Sequence, residues 1–109
     1  MNTPINYSDI FCLRLKAARL AKGLSQKSLG ILAGIDEFVA STRINRYEKG
    51  IHQASLETVQ QLAAALEVPL AYFYMVDDAL AELTLLWPKL SEEERAGILA
   101  KAKNTPPGQ

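Results

Sequence analysis

Apolar residues recur along this chain every three to four positions, and nowhere in sustained alternation. That spacing is the period of an α-helix, so the pattern predicts helices throughout and no strand. Ile10, Leu13, Ala17, Leu20 and Ala21 mark a first helix. Ser8 is its expected cap, with Asp9 near the positive end of the dipole. Gly23 closes it, and Ser25 caps a short second helix with Leu29, Leu32 and Ala33 on its buried face. Gly34 ends that helix. A third is predicted to start at Asp36 and run to Glu48 or Lys49, with Gly50 as its stop. Ser55 caps a fourth, where Val59, Leu62, Ala63 and Leu66 form the clearest stripe in the chain. Pro69 suits the first turn of a fifth helix, Leu70 to about Met75, anchored by Phe73.

The pattern changes after residue 76. Leu80, Leu83, Trp87 and Leu90 form one stripe, interrupted at Pro88. Ser91 followed by Glu92, Glu93 and Glu94 reads as a capping box. Ile98, Leu99 and Ala102 then share a face. The chain is therefore expected to divide into a five-helix unit over 8–75, a helical extension over 77–103 and a disordered tail over 104–109. The fold class is all-α.

Composition narrows the function classes. The chain has 109 residues, 49% of them hydrophobic, enough for the modest core of one domain. No apolar run approaches the ~18 residues that a membrane span needs. The opening MNTPINYSD lacks a basic stretch followed by an apolar one, so no secretory signal is expected. Cys12 is the single cysteine, which excludes an intrachain disulfide and fits the cytoplasm. Cys12 and His52 are the only thiol and imidazole, so neither a zinc site nor any cofactor is expected. No nucleophile stands in a recognisable frame and no glycine loop cradles phosphate, so the chain does not read as an enzyme.

The formal net charge is zero, but the charge is unevenly spread. Residues 1–53 carry eight basic and four acidic side chains; residues 54–109 carry four basic and eight acidic ones. A polyanion would meet the first part and be repelled by the second. The basic part contains STRINRYEKG, residues 41–50, a helical segment whose open face is Ser, Thr, Asn and Arg.

Two short helices around a tight glycine turn resemble the helix-turn-helix of phage repressors and Cro, the Xre-like regulators. The resemblance rests on Leu20, Gly23-Leu24-Ser25-Gln26, Leu29 with Gly30, and Gly34-Ile35. It continues through Ile44 to Gly50, Ser55-Leu56-Glu57-Thr58 and the run Leu62 to Leu66, so it covers about Leu13 to Phe73. The family implies double-stranded DNA as partner. Its base-reading places fall on Ser41, Thr42 and Arg46, with Asn45 beside them. Its phosphate-contacting or positioning places fall on Gln26, Lys27, Arg43, Lys49, His52 and Gln53. Arg14 and Arg19 are further phosphate candidates. Gly30 stands where alanine is usual, and a close approach of the third helix would explain it. Ile44 and Tyr47 are expected in the core.

From Gly34 to Gly50 the chain has about four residues more than the common pattern, around Asp36-Glu37-Phe38-Val39. Four residues make roughly one helical turn. One reading is an extra turn that starts the recognition helix near residue 37, with Glu37 at its DNA end. The other is a longer turn with Phe38 and Val39 packed beneath it. In either case the resemblance implies a sequence-specific regulator, a repressor, bound to its operator as a homodimer. The extension would pack on the domain or carry the dimer contact. The competing class is a protein-interaction module, such as an adaptor or the antitoxin of a toxin pair.

Overall fold

The structure is a computed structural model and describes residues 3–108. Six α-helices appear among these residues, with no strand. They are α1 (Tyr7–Ala21), α2 (Gln26–Leu32), α3 (Ala40–Glu48), α4 (Leu56–Leu66), α5 (Asp78–Leu86) and α6 (Glu92–Lys103). The expected fifth helix is a 3₁₀ segment, Leu70–Tyr74, and a second 3₁₀ turn, Trp87–Lys89, joins α5 to α6. The chain is all-α, as its periodicity predicts.

The core lies among α1 to α4 and the first 3₁₀ segment. Phe73, Leu15, Leu29, Ile44, Leu62 and Val59 are its largest fully buried side chains. Phe11 meets Phe73 in a tilted pair at a centroid distance of 5.3 Å and stacks on Tyr74 at 5.9 Å. The caps of α2 and α4 are as the sequence predicts: the Ser25 hydroxyl accepts from the Ser28 N–H, and the Ser55 hydroxyl from the Thr58 N–H.

Four expectations need correction. Asn6, not Ser8, caps α1; its side chain accepts from the N–H groups of Ser8 and Asp9. Asn6 is the residue with extended backbone, whereas Ser8 already lies inside the helix. The buried face of α1 is Phe11, Leu15, Ala18 and Arg19, one step round from the predicted stripe. Leu13 and Leu20 are exposed. On α2, Leu29 and Ala33 are buried but Leu32 faces solvent. Finally, residues 37–39 form a turn, so α3 begins at Ala40 rather than near 37. The Asp36 carboxylate caps that turn, accepting from the Phe38 N–H at 2.9 Å, instead of starting a helix. Phe38 and Val39 are exposed, so the longer turn is present without the packing expected beneath it.

The extension is looser. α5 buries Ala81 and α6 buries nothing. Arg95 ties α6 to the preceding turn, donating to the carbonyls of Trp87 and Pro88 at 2.9 and 3.0 Å. The radius of gyration is 16.3 Å, against about 13 Å for a compact chain of ~100 residues. No helix among the described residues is long and apolar enough to cross a membrane.

Candidate nucleic-acid interface

The site is built on the buried side of α3. Ala40, Ile44 and Tyr47 fall on one face and enter the core. At about 3.6 residues per turn, the opposite face carries Thr42, Asn45, Arg46 and Lys49, with Ser41 at its edge. Ser41, Thr42, Arg46 and Lys49 are exposed and Asn45 is half-buried. This face answers why the segment is so polar. Its side chains meet water, and the three core residues on its back hold it in place.

Close packing sets the height of that face. A Cβ added to Gly30 would stand 2.6 Å from the Ala40 Cβ and 3.0 Å from its Cα. No real side chain fits there, so only glycine lets the start of α3 press against α2. That is the close approach expected for Gly30. At the other end, Gly50 has φ +73°. Its N–H donates to the Tyr47 carbonyl and the Ile51 N–H to the Arg46 carbonyl, which satisfies the last turn of α3 and bends the chain away.

An ion-pair network braces the C-terminal end. The Glu48 carboxylate receives Arg19 Nε at 2.6 Å and Arg19 Nη2 at 3.1 Å. Gln26 Nε2 donates to the same carboxylate at 3.2 Å, and Asn45 reaches Gln26 Oε1 at 3.5 Å. Arg19 also donates to the Leu24 carbonyl at 3.0 Å. The network joins α1, α2, the turn after α1 and α3. The side chains of Arg19 and Glu48 are only 10% and 4% exposed. The hydrogen bond that the guanidinium donates to Glu48 pushes its pKa further up, so the arginine stays charged.

The predicted residues separate on this scaffold. Gln26 is hydrogen-bonded to Glu48 of α3. Lys27, Arg43, Lys49, His52 and Gln53 are all exposed on α2, α3 or the loop behind it. Arg43 lies along its own helix, with its guanidinium donating to the Tyr47 hydroxyl at 2.6 and 3.2 Å. Gln53 donates to the Ser8 hydroxyl at 3.0 Å, which ties the loop to the first turn of α1. Two phosphate candidates fail. Arg19 is occupied by Glu48, and Arg14 donates to the Met75 carbonyl and pairs with Asp78 at 3.0 Å. The Arg19–Glu48 pair itself was not foreseen. Its signal was there: a carboxylate in the last turn of a helix faces the negative end of the dipole and calls for a nearby cation.

Cys12 lies behind the loop. Its thiol donates to the Tyr47 carbonyl at 3.2 Å. Burial, with the negative charge of Asp9 next, raises its pKa, so it is a protonated structural thiol at neutral pH. No group of three or more metal-ligating side chains occurs among the described residues.

Two helices at a glycine turn, the second presenting a braced polar face, define a helix-turn-helix unit. The helix-turn-helix family model matches residues 15–73, more than half of the chain, and the protein belongs to that family in its Xre/Cro-type form. The crystal structure of the transcriptional regulator BswR is similar over 86% of this chain and 93% of its own, with 45% identity and a TM-score of 0.79. No curated protein sequence matches the chain.

Proposed function

We propose that the protein is a sequence-specific DNA-binding transcriptional regulator, a repressor, that occupies its operator as a homodimer. The observation that carries this reading is the polar face of α3, fixed from behind by Ile44, Tyr47 and the Arg19–Glu48–Gln26 network. A helix fits the major groove, where Arg pairs with guanine, Asn with adenine, and hydroxyls with either base edge. Ser41, Thr42, Asn45 and Arg46 read bases. Lys27, Arg43, Lys49, His52 and Gln53 contact or approach phosphate, and Gln26 positions α3. The likeness to BswR, itself a transcriptional regulator, supports the same reading.

One such helix covers few base pairs, so two copies bind a near-palindrome with half-sites ~34 Å apart or a multiple of it. Residues 8–75 form the DNA-binding unit in this reading. The extension over 77–103 carries the dimer contact, and its acidic character keeps that surface away from DNA. An apolar groove of about 300 Å³ lined by Pro69, Leu80, Leu83 and Trp87 is open for it. The same groove favours a second reading, an adaptor or antitoxin that grips a protein partner there. A cytoplasmic regulator is part of this reading, which the single cysteine also fits.

The test is selection of random duplex DNA by the purified protein, read by sequencing and repeated with Arg46→Ala. The expected result is a two-fold symmetric motif that loses information at one position per half-site in the variant, at a cost of about 1–3 kcal/mol for a guanine contact. Lys49→Ala weakens all sequences alike and lowers the salt slope by about 1 per protomer. Enrichment without a motif would overturn the reading. An adaptor would keep its function when Arg46 and Lys49 are neutralised.

A further inference from the structure

We infer that Phe38 is a base-reading residue whose ring contacts the C5 methyl group of a thymine in the major groove. The assignment rests on the DNA-binding reading above. Phe38 is 89% exposed, the most exposed large hydrophobic side chain among the described residues. At that exposure the phenyl ring adds nothing to the packing of the turn and is free to meet a partner. The turn is nevertheless rigid. The Asp36 carboxylate accepts from the Phe38 N–H at 2.9 Å, and the Val39 N–H donates to the Asp36 carbonyl at 3.1 Å. Both roots are buried: Ile35 on one side, and on the other Ala40, which is pressed against Gly30. The backbone of Phe38, from which the ring projects, is therefore held at a fixed place relative to α3.

That place is two residues before α3 begins, at the end which a helix-turn-helix protein directs at base edges. The neighbouring charges decide which part of DNA it meets. Asp36 and Glu37 are exposed carboxylates, so the turn is repelled by a phosphate strand. Over the groove floor the same carboxylates face cytosine amines, which donate to them. Phe38 forms no hydrogen bond through its ring. The one apolar feature that distinguishes bases in the major groove is the thymine methyl. A ring at this position thus recognises thymine, and the carboxylates tolerate cytosine beside it.

The experiment uses the full chain and the operator found by selection. Each thymine is replaced in turn by deoxyuridine, which keeps every hydrogen-bonding group and lacks only the methyl. Wild-type protein is expected to lose about fourfold in affinity per half-site at one thymine, the value of burying one methyl-sized group. Phe38→Ala shows a similar deficit on the thymine operator and no further loss on the deoxyuridine one. Phe38→Leu recovers part of the discrimination. Both variants keep the wild-type melting temperature, because the ring packs on nothing. A Phe38→Ala protein that still distinguishes thymine from deoxyuridine overturns the assignment, as does a wild type indifferent to every thymine methyl. Unchanged operator binding with altered self-association in Phe38→Ala would move the ring to a protein contact and also overturn it. A wild type that selects no motif sinks the operator reading together with this one, whereas a clear motif with a methyl-blind profile sinks this one alone.

Discussion

Two helices, α3 and α6, both show water a largely polar surface, and they are held in opposite ways. α3 has nine residues, no side-chain cap at its start, and three residues in the core. α6 has twelve residues, a full capping box, acids in its first turn, Lys101 and Lys103 in its last, and nothing buried. Isolated helices shorter than about 12–15 residues are marginal in water. α6 therefore depends on its own end chemistry, and α3 on its neighbours. A helix that must meet a rigid target with several side chains at once gains from the second arrangement. Its free face is fixed before the target arrives, so little ordering is left to do on binding.

The largest effect is expected where α3 is braced. Arg19→Ala leaves the Glu48 carboxylate buried and unpaired, which costs about 3–5 kcal/mol. The melting temperature should fall by more than about 10 °C. The double variant Arg19→Met with Glu48→Leu should recover most of that loss, since apolar replacement of a buried pair is often neutral. Thermal melts by circular dichroism decide it. If the single variant melts like the wild type, the buried pair does not hold α3.

A matched pair of glycine substitutions sharpens the contrast, because the two helices should answer with opposite signs. Gly30→Ala must displace the Ala40 backbone, so it is expected to cost about 1–3 kcal/mol despite better helix propensity. It should also weaken operator binding, since it lifts the start of α3. Gly97→Ala in α6 meets nothing within 4 Å, so only the propensity gain of up to ~1 kcal/mol remains. Urea titrations of both proteins measure the two signs directly. A loss of stability in Gly97→Ala would mean that α6 is covered at that point in solution.

Much of this was legible in the sequence, and the failures have physical causes. Ser25, Ser55 and the Ser91–Glu94 box were readable because a cap is local chemistry. The polar face of α3 was legible because Ile44 and Tyr47 mark its back. The face of α1 was not. Ile10–Leu13–Ala17 and Phe11–Leu15–Ala18 both satisfy helical period, and only the core selects the second. Burial of Arg19 runs against its type and depends on Glu48, 29 positions away. Asp36 fits a helix cap and a turn cap equally well. The choice is made at Ala40, whose contact with Gly30 fixes where α3 starts. Tertiary contacts settle each of these cases, and no window of sequence contains them.

The smallest expected effect separates two exposed carboxylates, one in each region. Glu67 ends α4 with a left-handed backbone, φ 58°, and meets the Lys22 ammonium. The hydrogen bond from that ammonium, and then its charge, holds the Glu67 pKa below the ordinary value of 4.5. Glu94 in α6 is also held below 4.5, but by the backbone N–H and hydroxyl of Ser91, which are neutral. A carboxylate with a lowered folded pKa stabilises fully above its unfolded value, and the contribution is lost as pH falls through the folded one. Both contributions therefore shrink as the solution is acidified below 4.5. Salt distinguishes them. The Lys22–Glu67 attraction acts between solvent-exposed charges and is screened, whereas the Ser91 bonds are short-range. Carboxyl NMR titrations at low and high ionic strength should bring Glu67 back towards 4.5 and leave Glu94 nearly unmoved. Equal responses would mean that the Lys22–Glu67 pair is not formed in solution, and that the αL end of α4 stands without it.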